Sequence, residues 1–446
     1  MKLYFVSLGC DKNLVDSEKM LALLASHSIE ITEDVSQAEI IIVNTCGFIQ
    51  DAKEESIETI LEMAAYKEQG VCQALIVTGC LAQRYAEEME KEIPEVDAVV
   101  GTTAYDRIFE AVEETLAGKK IHLMSELDYL PSHLTKRLGS AAGYTSYLKI
   151  AEGCSKRCTY CIIPYLRGNY RSVPMEELLE EAEELAQKGT KELIIIAQET
   201  TVYGVDLYGE KKLPELLNRL CEIKGIEWIR LMYCYPEEIT EELLDTMASQ
   251  PKICHYLDLP IQHCNDMVLK RMGRKTNKQD LLKKIALIRE KMPDVTLRTT
   301  LISGFPGETE EQHEECLEFV RDIRFDRLGV FPYSSEEGTP AAEYDNQVED
   351  ETKRLWADEI MEVSQNIIFE ENETLVGKTM VVMVEGFLPE DEVYVGRTYR
   401  DAPDIDGCVF FAAPCEIISG TMLTVLVTEA RGYDLMGELW NGEEDE

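Results

Sequence analysis

The sequence lacks any long apolar run. No part of its 446 residues approaches the roughly 18 consecutive apolar residues that a membrane-spanning helix requires. The opening MKLYFVSLGCDKN has too short an apolar part for a secretory signal, and it has no small-residue cleavage site. We therefore expect a cytoplasmic protein with no membrane partner, whose 14 cysteines serve metal or redox chemistry rather than disulfides.

Basic residues are scarce as well. The chain has 44 lysines and arginines against 85 aspartates and glutamates, a formal net charge of −41. A nucleic-acid-binding surface needs cations that replace the counterions around phosphate, so this composition disfavours direct binding of nucleic acid. The charge favours a basic protein as the partner, although acidity can also serve solubility alone.

Cysteines are concentrated in the middle of the chain. Cys154, Cys158 and Cys161 lie within eight residues in a C-x3-C-x2-C pattern. Thiolates are soft ligands that select zinc or iron–sulfur clusters. Zinc would need a nearby fourth cysteine or histidine to complete its tetrahedron, but the next cysteine, Cys221, is far along the chain. The pattern therefore predicts a 4Fe-4S cluster with one iron open to a substrate or cofactor.

A second set of cysteines occurs in the first 120 residues. Each follows a short apolar run, stands beside a glycine and precedes a helical pattern: Cys10, Cys46 and Cys80. Alternating strands and helices form a parallel sheet, and ligands lie outside the carboxyl ends of its strands. We therefore expect these thiols to converge as a second incomplete ligand set. We also expect Asn13 to donate a hydrogen bond towards the bound group, and Asp16 and Glu18 to form an acidic helix start.

The region around and after Cys154 alternates strand-like runs with helical segments. Six runs are recognisable: 147–150, Leu193–Ala197, Trp228–Tyr233, Tyr256–Pro260, Val295–Leu301 and Leu328–Tyr333. The alternation predicts a parallel partial (β/α)6 barrel with its site at the carboxyl ends of the strands. Polar residues collect there, among them Gln198, Glu199, Gln262 and His263. We expect Gln262 to bond a sugar hydroxyl, whereas a structural role fits His263 equally well.

A glycine-rich turn follows the fifth of these runs. It comprises Gly304, Phe305, Pro306, Gly307 and Glu308, and it opens an acidic helix. Glycines let backbone amides approach a ligand closely, but the acidic helix start argues against phosphate. The turn therefore favours an adenine or an amino-acid edge as its ligand.

The last part of the chain has a third pattern. A long amphipathic helix at Asp350–Asn372 precedes four short alternating strands separated by turns, which predicts a small antiparallel β-barrel. Residues 373–446 contain four basic and sixteen acidic residues. An RNA-binding barrel needs a positive groove, so we expect this barrel to prefer a basic protein.

From end to end, the chain resembles the methylthiotransferases, a family of radical S-adenosylmethionine (SAM) enzymes. The segments SLGCDKNLVDSE, CIIPYLRG, LDLPIQH and GYDLMG are similar to the RimO branch, which modifies the β-carbon of one aspartate in ribosomal small-subunit protein S-12. The resemblance implies an α/β multidomain fold. Its expected parts are a parallel-sheet domain at 1–120, a linker at 121–143, a radical SAM domain at 144–370 and a TRAM-like β-barrel at 373–441.

The resemblance also implies two 4Fe-4S clusters. Cys154, Cys158 and Cys161 would hold the cluster that binds SAM, and Cys10, Cys46 and Cys80 would hold an auxiliary cluster that carries the sulfur. The clusters and SAM would carry the chemistry, so no side chain is expected to be catalytic. An electron donor such as flavodoxin or ferredoxin is implied, and we expect a monomer that meets nucleic acid only through the ribosome.

The resemblance also implies which residues of this chain contact SAM. The expected residues are Tyr160 and Gly304–Glu308 at the adenine, Gln262 at the ribose, and Gln198 and Glu199 nearby. The family often has Gln-Asp where this chain has Gln198-Glu199, so the detailed contact there differs.

Two other functions are compatible with parts of the pattern. The same chemistry acting on tRNA adenosine would need a basic groove, which would show as tight binding to bulk tRNA at low salt. A non-catalytic, zinc-bearing adaptor that binds ribosomes would be colourless and contain zinc but no iron.

Overall fold

The computed structural model has a six-stranded sheet in each of the first two predicted domains and a closed β-barrel in the third. The structure describes residues 1–131, 136–139, 143–440 and 442, with only the backbone of Glu68 and Gln69. Within these residues no helix is long and apolar enough to cross a membrane.

The N-terminal sheet has six parallel strands in the order β2-β1-β3-β4-β5-β6. They are β1 (Lys2–Ser7), β2 (Glu30–Ile31), β3 (Ile40–Thr45), β4 (Ala74–Gly79), β5 (Ala98–Val100) and β6 (Ile121–Leu123). Every residue of β3 and β4 is buried, as expected for strands covered by helices on both faces. The parallel sheet predicted from the sequence is therefore confirmed.

The sheet extends beyond the predicted boundary at residue 120. β6 falls inside the segment predicted as a linker at 121–143, so the first residues of that segment belong to the sheet. A three-residue strand carries too short a pattern to be recognised from sequence. Residues 132–135 and 140–142 of the predicted linker lie outside the described residues.

Five helices cover this sheet. They are α1 (Asp11–Ser26), α2 (Gln50–Gln69), α3 (Cys80–Arg84), α4 (Ala86–Glu92) and α5 (Ile108–Leu116). Because β1 lies between β2 and β3, the direction of winding reverses between β1 and β3. The crevice at such a reversal, outside the carboxyl ends of the strands, is where ligands bind in open α/β sheets.

The central sheet also has six parallel strands, in the order β14-β13-β12-β11-β10-β7. They are β7 (Thr145–Lys149), β10 (Glu192–Ile196), β11 (Trp228–Leu231), β12 (Ile253–Asp258), β13 (Thr296–Ser303) and β14 (Arg327–Pro332). Each of the six predicted runs overlaps one of these strands, which confirms the partial barrel. A separate two-stranded ribbon, β8 (Ala151–Glu152) with β9 (Arg171–Ser172), brackets the cysteine loop.

The helices of the central region alternate with its strands. They are α6 (Ile163–Arg167), α7 (Met175–Gln187), α8 (Val205–Tyr208), α9 (Leu213–Cys221), α10 (Glu241–Ser249), α11 (Asp266–Arg271), α12 (Lys278–Lys291), α13 (Glu310–Ile323) and α14 (Asp350–Glu373). The helix predicted at Asp350–Asn372 is α14, which leads into the last domain.

The C-terminal domain is a closed five-stranded barrel in the order β15-β16-β17-β19-β18. Its strands are β15 (Thr379–Leu388), β16 (Val393–Thr398), β17 (Val409–Ala412), β18 (Met422–Arg431) and β19 (Asp434–Leu439). The sequence predicted four antiparallel strands. The fifth, β19, has the sequence DLMGEL, which is rich in residues depleted from strands, and it pairs in parallel with β17. Residue 441, the predicted end of this domain, lies outside the described residues.

Buried charges join the barrel to the central sheet. Glu192, at the start of β10, lies 2.8 Å from Arg230 and 2.7 Å from Arg397 of the barrel, and all three side chains are buried. Burial opposes ionisation of Glu192, but Arg397 and Arg230 outweigh it and lower its pKa to about 2. The ion pairs therefore persist across the physiological pH range.

Candidate functional site

The auxiliary cysteines lie just beyond the carboxyl ends of β1, β3 and β4, three adjacent strands of the N-terminal sheet, with Cys80 as the first residue of α3. Gly9 has a φ of +89°, and a Cβ there would lie 2.9 Å from Cys46 Cβ and 3.3 Å from its Sγ. A side chain at Gly9 would thus occupy the space between the Cys10 and Cys46 loops. The backbone thus brings the Cys10 and Cys46 segments together at this edge of the sheet, while the ligand set itself stays a prediction.

Asn13 holds these three loops together. Its amide group donates to the backbone oxygens of Leu8 and Thr45, each at 3.0 Å, and its Oδ1 is 3.9 Å from Cys80 Sγ. The prediction that Asn13 donates towards the bound group was wrong, because both amide hydrogens are used by neighbouring carbonyls. Its role is to position the loops.

The acidic helix start was also predicted at the wrong place. Helix α1 begins at Asp11, so Asp16 and Glu18 lie beyond its first turn and are buried. Asp16 pairs with Lys149 and lies 3.1 Å from Arg167, while Glu18 pairs with Arg137. Asp16 thus joins the first domain to the central one, and Glu18 joins it to the segment before β7; neither compensates a helix dipole.

The spacing of the sulfurs discriminates between metal groups. A tetrahedral zinc with ligand distances of about 2.3 Å would hold its sulfurs roughly 3.8 Å apart. Among the described residues only His263, Cys264 and Cys316 bring three ligand atoms within 4.8 Å of one another, so neither cysteine triad has its three sulfurs as close together as a single zinc requires.

The His263 group itself is part of the protein core. Its Nδ1 accepts a hydrogen bond from the backbone N–H of Asn265 at 2.9 Å, and its Nε2 faces Glu308 Oε1 at 3.1 Å. Both ring nitrogens are therefore occupied, and the imidazole has no lone pair to offer a metal. The structural reading of His263 is the one that the geometry supports.

The radical SAM triad lies in the tight loop between β8 and α6. Cys154 and Cys158 are buried and Cys161 is half-buried, and the Cys161 amide donates to Cys158 O at 3.1 Å. Burial raises the pKa of Cys154 to about 11 and that of Cys80, in the auxiliary set, to about 12. A bound iron would reverse this effect, because metal ligation stabilises the thiolate.

Two of the predicted SAM-contact regions come together. The rings of Tyr160 and Phe305 have centroids 6.4 Å apart. Phe305 is fully buried, with its ring centroid 5.4 Å from that of Tyr333, and Glu308 accepts a hydrogen bond from the Phe305 amide at 2.9 Å. The side chains of Phe305 and Glu308 thus shape the turn from within. Gly304, Pro306 and Gly307 complete the turn.

The other predicted contacts lie at separate strand ends. Gln262 follows β12, and its backbone bonds to Thr300 and Ile302 of β13 at 2.9 and 2.8 Å. Gln198 and Glu199 follow β10, which β11 separates from β12. The buried Oε1 of Gln198 has no partner among the described residues, which leaves an acceptor for a ligand.

Glu199 differs electrostatically from an exposed carboxylate. It accepts a hydrogen bond from Thr201 at 3.0 Å and lies 3.6 Å from Lys156 Nζ. Burial outweighs both contacts and raises the pKa of Glu199 to about 7.

The segments that carry the two triads contact each other at one junction between the first and central domains. Cys80 packs against Ile162, the residue after Cys161, and against Leu166. The neighbouring Arg167 is buried and donates to Asn13 Oδ1 at 2.6 Å and to Glu152 at 2.7 Å. Arg167 thus links the radical SAM loop to the residue that holds the auxiliary loops.

Sequence reasoning missed several residues of this junction. Lys12 is buried, with its ammonium 3.1 Å from the centroid of the Tyr233 ring, and the Tyr233 hydroxyl donates to Asp11 at 2.9 Å. Arg274 stands over the Tyr235 ring beside the radical SAM triad. The sequence shows these basic residues inside the motifs GCDKN and MGRK. Charged residues are usually exposed, so the motifs alone did not predict that these residues are buried.

Comparison with family models divides the chain as the fold does. Residues 2–101 match the uncharacterized protein family UPF0004, residues 148–320 match the radical SAM superfamily, and residues 376–439 match the TRAM domain.

Solved structures share the fold. A radical SAM methyltransferase, TsrM from Kitasatospora setae, superposes with a TM-score of 0.56 at 14% identity, covering 84% of this chain and 78% of that one. The cobalamin-dependent radical SAM enzyme OxsB gives 0.52 at 14% identity, covering 83% and 56%. At this identity the likeness concerns the fold alone.

Curated relatives match over nearly the whole length. Ribosomal protein uS12 methylthiotransferase RimO of Lachnoclostridium phytofermentans is 59% identical over 437 residues, or 98% of this chain and 99% of that protein. The proteins of the same name from Clostridioides difficile and Acetivibrio thermocellus are 48% and 49% identical, each covering at least 98% of both chains. The chain therefore belongs to the RimO family of radical SAM methylthiotransferases.

Proposed function

We propose that this protein is a radical SAM methylthiotransferase that adds a methylthio group to the β-carbon of an aspartate in ribosomal protein uS12. The observation that carries the proposal is the packing of Cys80 against Ile162, the residue after Cys161, in a chain 59% identical over 437 residues to a RimO. A ribosomal substrate puts the reaction in the cytoplasm. The acidic chain, with a net charge of −41, suits a basic protein substrate.

The groups to be held are two 4Fe-4S clusters and SAM. Cys154, Cys158 and Cys161 would ligate one cluster, and Cys10, Cys46 and Cys80 the other. When bound, these groups supply electron transfer, hydrogen abstraction and sulfur transfer, which side chains cannot perform. The reaction also implies an electron donor, such as a flavodoxin or a ferredoxin.

The chain's own residues contribute position and exclusion of water. Asn13 and Arg167 hold the loops of the two triads against each other. The buried ion pairs of Asp16, Lys149 and Glu152 close the junction around them. Fixed geometry and a dry site are what a reactive intermediate needs in order to reach only its target.

Mass spectrometry of uS12 tests the substrate. The protein from a strain lacking this gene should lose the methylthio mass shift, and complementation should restore it on one aspartate. An unchanged uS12 spectrum in the deletion strain would refute the proposal. Tight binding to bulk tRNA at low salt would instead favour a tRNA adenosine substrate.

Iron analysis tests the two-cluster arrangement. Anaerobic reconstitution should give about eight irons per chain, four for each cubane, and a brown protein. Cys10→Ala should reduce this to about four and abolish thiolation, while reductive SAM cleavage persists. Loss of both reactions together would contradict separate roles for the clusters, and zinc without iron would indicate the non-catalytic adaptor.

A further inference from the structure

The proposed substrate brings a charge into the junction. The β-carbon of an aspartate is bonded to its carboxylate, so a reaction at that carbon draws the carboxylate in as well. A carboxylate removed from water requires a cation or several hydrogen-bond donors. This requirement rests on the proposed function. It raises the question of which cation at the junction is free to bind the substrate carboxylate.

Most cations around the junction already have acidic partners. Lys149 pairs with Asp16 and lies 2.6 Å from Glu152. Arg167 lies 2.7 Å from Glu152 and 3.1 Å from Asp16. A further carboxylate at either cation would compete with buried, short-range contacts, at a cost that an incoming side chain would have to offset.

Two further cations belong to the other side of the site. Lys156 pairs with Glu238 and lies 3.6 Å from Glu199. Arg274 has buried N–H groups without partners among the described residues, but it stands over Tyr235, whose hydroxyl is 4.0 Å from Cys158 Sγ. Both are therefore at the radical SAM triad rather than at the auxiliary loops.

Lys12 is the exception at the auxiliary loops. It is 5% exposed, and within the described parts of the chain its ammonium has no hydrogen bond and no carboxylate within 4.0 Å. Its one close polar contact is the Tyr233 ring, whose centroid is 3.1 Å away. The neighbouring Asp11 carboxylate accepts instead from the Tyr233 hydroxyl at 2.9 Å. A buried ammonium with three unused donors is a site for an anion.

The position of Lys12 suits the target. It follows Cys10 by two residues, and through Tyr233 it contacts the carboxyl end of β11 in the central barrel. Lys12 therefore lies where the segment that carries Cys10 meets the central barrel. We propose that Lys12 is a specificity-determining residue that binds the carboxylate of the target aspartate beside the auxiliary loops.

A double-mutant cycle tests this assignment. Binding is measured anaerobically, without reductant, between reconstituted enzyme and either uS12 or its variant with the modified aspartate changed Asp→Asn. Wild-type enzyme should bind the Asp form at least about tenfold more tightly, as expected for a charge-assisted hydrogen bond. Lys12→Met should reduce that ratio to near one, and Lys12→Arg should preserve most of it. Lys12→Gln provides the same comparison if Lys12→Met does not fold.

Lys19 provides the matched control. It is buried on the same helix, but it lies 3.5 Å from Glu181, so Lys19→Met should leave the Asp-to-Asn ratio unchanged. A Lys12→Met enzyme that binds both forms of uS12 more weakly but with the wild-type ratio would overturn the assignment. That result would mean that Lys12 only balances charge near the cysteines. If wild-type enzyme modifies no aspartate of uS12, the proposed function fails and this inference fails with it.

Discussion

Individual polar side chains determine the geometry of the junction. Asn13 uses both ends of its amide group, bonding the Leu8 and Thr45 carbonyls with Nδ2 and Arg167 with Oδ1. Fully satisfied polar groups rigidify a buried site. The buried groups that stay unsatisfied, such as Gln198 Oε1, are correspondingly available to a ligand.

We expect Lys12 to lower the free energy of unfolding of the protein, although it contributes to substrate binding. Burying an ammonium without a hydrogen-bond acceptor costs free energy, and the contact with the Tyr233 ring offsets only part of this cost, so Lys12→Met should raise the free energy of unfolding of the metal-free protein by about 1 kcal/mol. Lys19→Met should lower it by about 1–3 kcal/mol, because Glu181 loses one of its two cations and keeps Arg137 at 2.8 Å. Anaerobic urea unfolding measures both changes. A destabilised Lys12→Met protein would mean that Lys12 has a structural partner.

Glu199 should make stability depend on pH. Burial raises its pKa in the folded protein from 4.5 to about 7, so the folded state holds an extra proton between these values. Stability therefore falls as pH rises through this window, by an amount on the order of 3 kcal/mol. Glu199→Gln should flatten that slope in unfolding measurements from pH 4.5 to 7.5.

An exposed carboxylate offers the control for this titration. Arg107 lowers the pKa of Glu110, so that group stays ionised across the window and Glu110→Gln should leave the slope unchanged. A slope that persists in Glu199→Gln would assign the pH dependence to another group.

At the level of elements, short turns after the strands place the cysteines. β4 ends at Gly79, and α3 begins at Cys80, so the strand-to-helix turn sets the position of that thiol. Gly79 has a φ of +94°, and a Cβ there would lie 2.5 Å from Thr45 O. Only glycine fits this conformation and this approach without strain.

Gly79→Ala should therefore displace Cys80. We expect iron content to fall from about eight to about four per chain, together with a loss of about 1–3 kcal/mol of stability from backbone strain. Gly118→Ala is the control, because Gly118 has a φ of +80° but no atom within 4 Å of an added Cβ. It should lose stability alone and keep its iron. Full iron content in Gly79→Ala would show that the turn tolerates a side chain.

At the scale of the whole molecule, buried ion pairs connect domains that lie far apart in sequence. Glu192 contacts Arg397 of the barrel, and Arg327 lies 2.5 Å from Asp401. Tyr256 donates to Asp406 at 2.7 Å. These contacts hold the C-terminal barrel against the strands of the central sheet, so we expect the barrel to keep a fixed position relative to that sheet.

Glu192→Gln should weaken the attachment of the barrel to the central sheet. Removing one partner of a buried pair leaves Arg230 and Arg397 undercompensated, which should lower stability by about 3–5 kcal/mol and expose the barrel junction to limited proteolysis. Glu429→Gln removes an exposed pair with Arg431 and should change stability by less than about 1 kcal/mol. Equal resistance of both variants to protease would mean that apolar packing alone holds the barrel.

The sequence by itself determined the chemistry and the order of domains. The C-x3-C-x2-C spacing and the cysteines at three strand ends are local patterns, and parallel strands bring their carboxyl ends to one edge whatever surrounds them. The six central strands and the helix at Asp350–Asn372 were predictable for the same reason, since periodicity reports which residues are buried within one element.

Only the tertiary structure decided which charges are buried and paired. Lys12 stands in the motif GCDKN and Lys19 does not, but the sequence does not reveal that Lys12 faces an aromatic ring and Lys19 faces Glu181. The same holds for β6 and β19, whose short or polar sequences form strands because neighbouring strands offer them hydrogen bonds. Pairing partners are contributed by distant parts of the chain, and long-range contacts override local preference wherever a buried polar group must be satisfied.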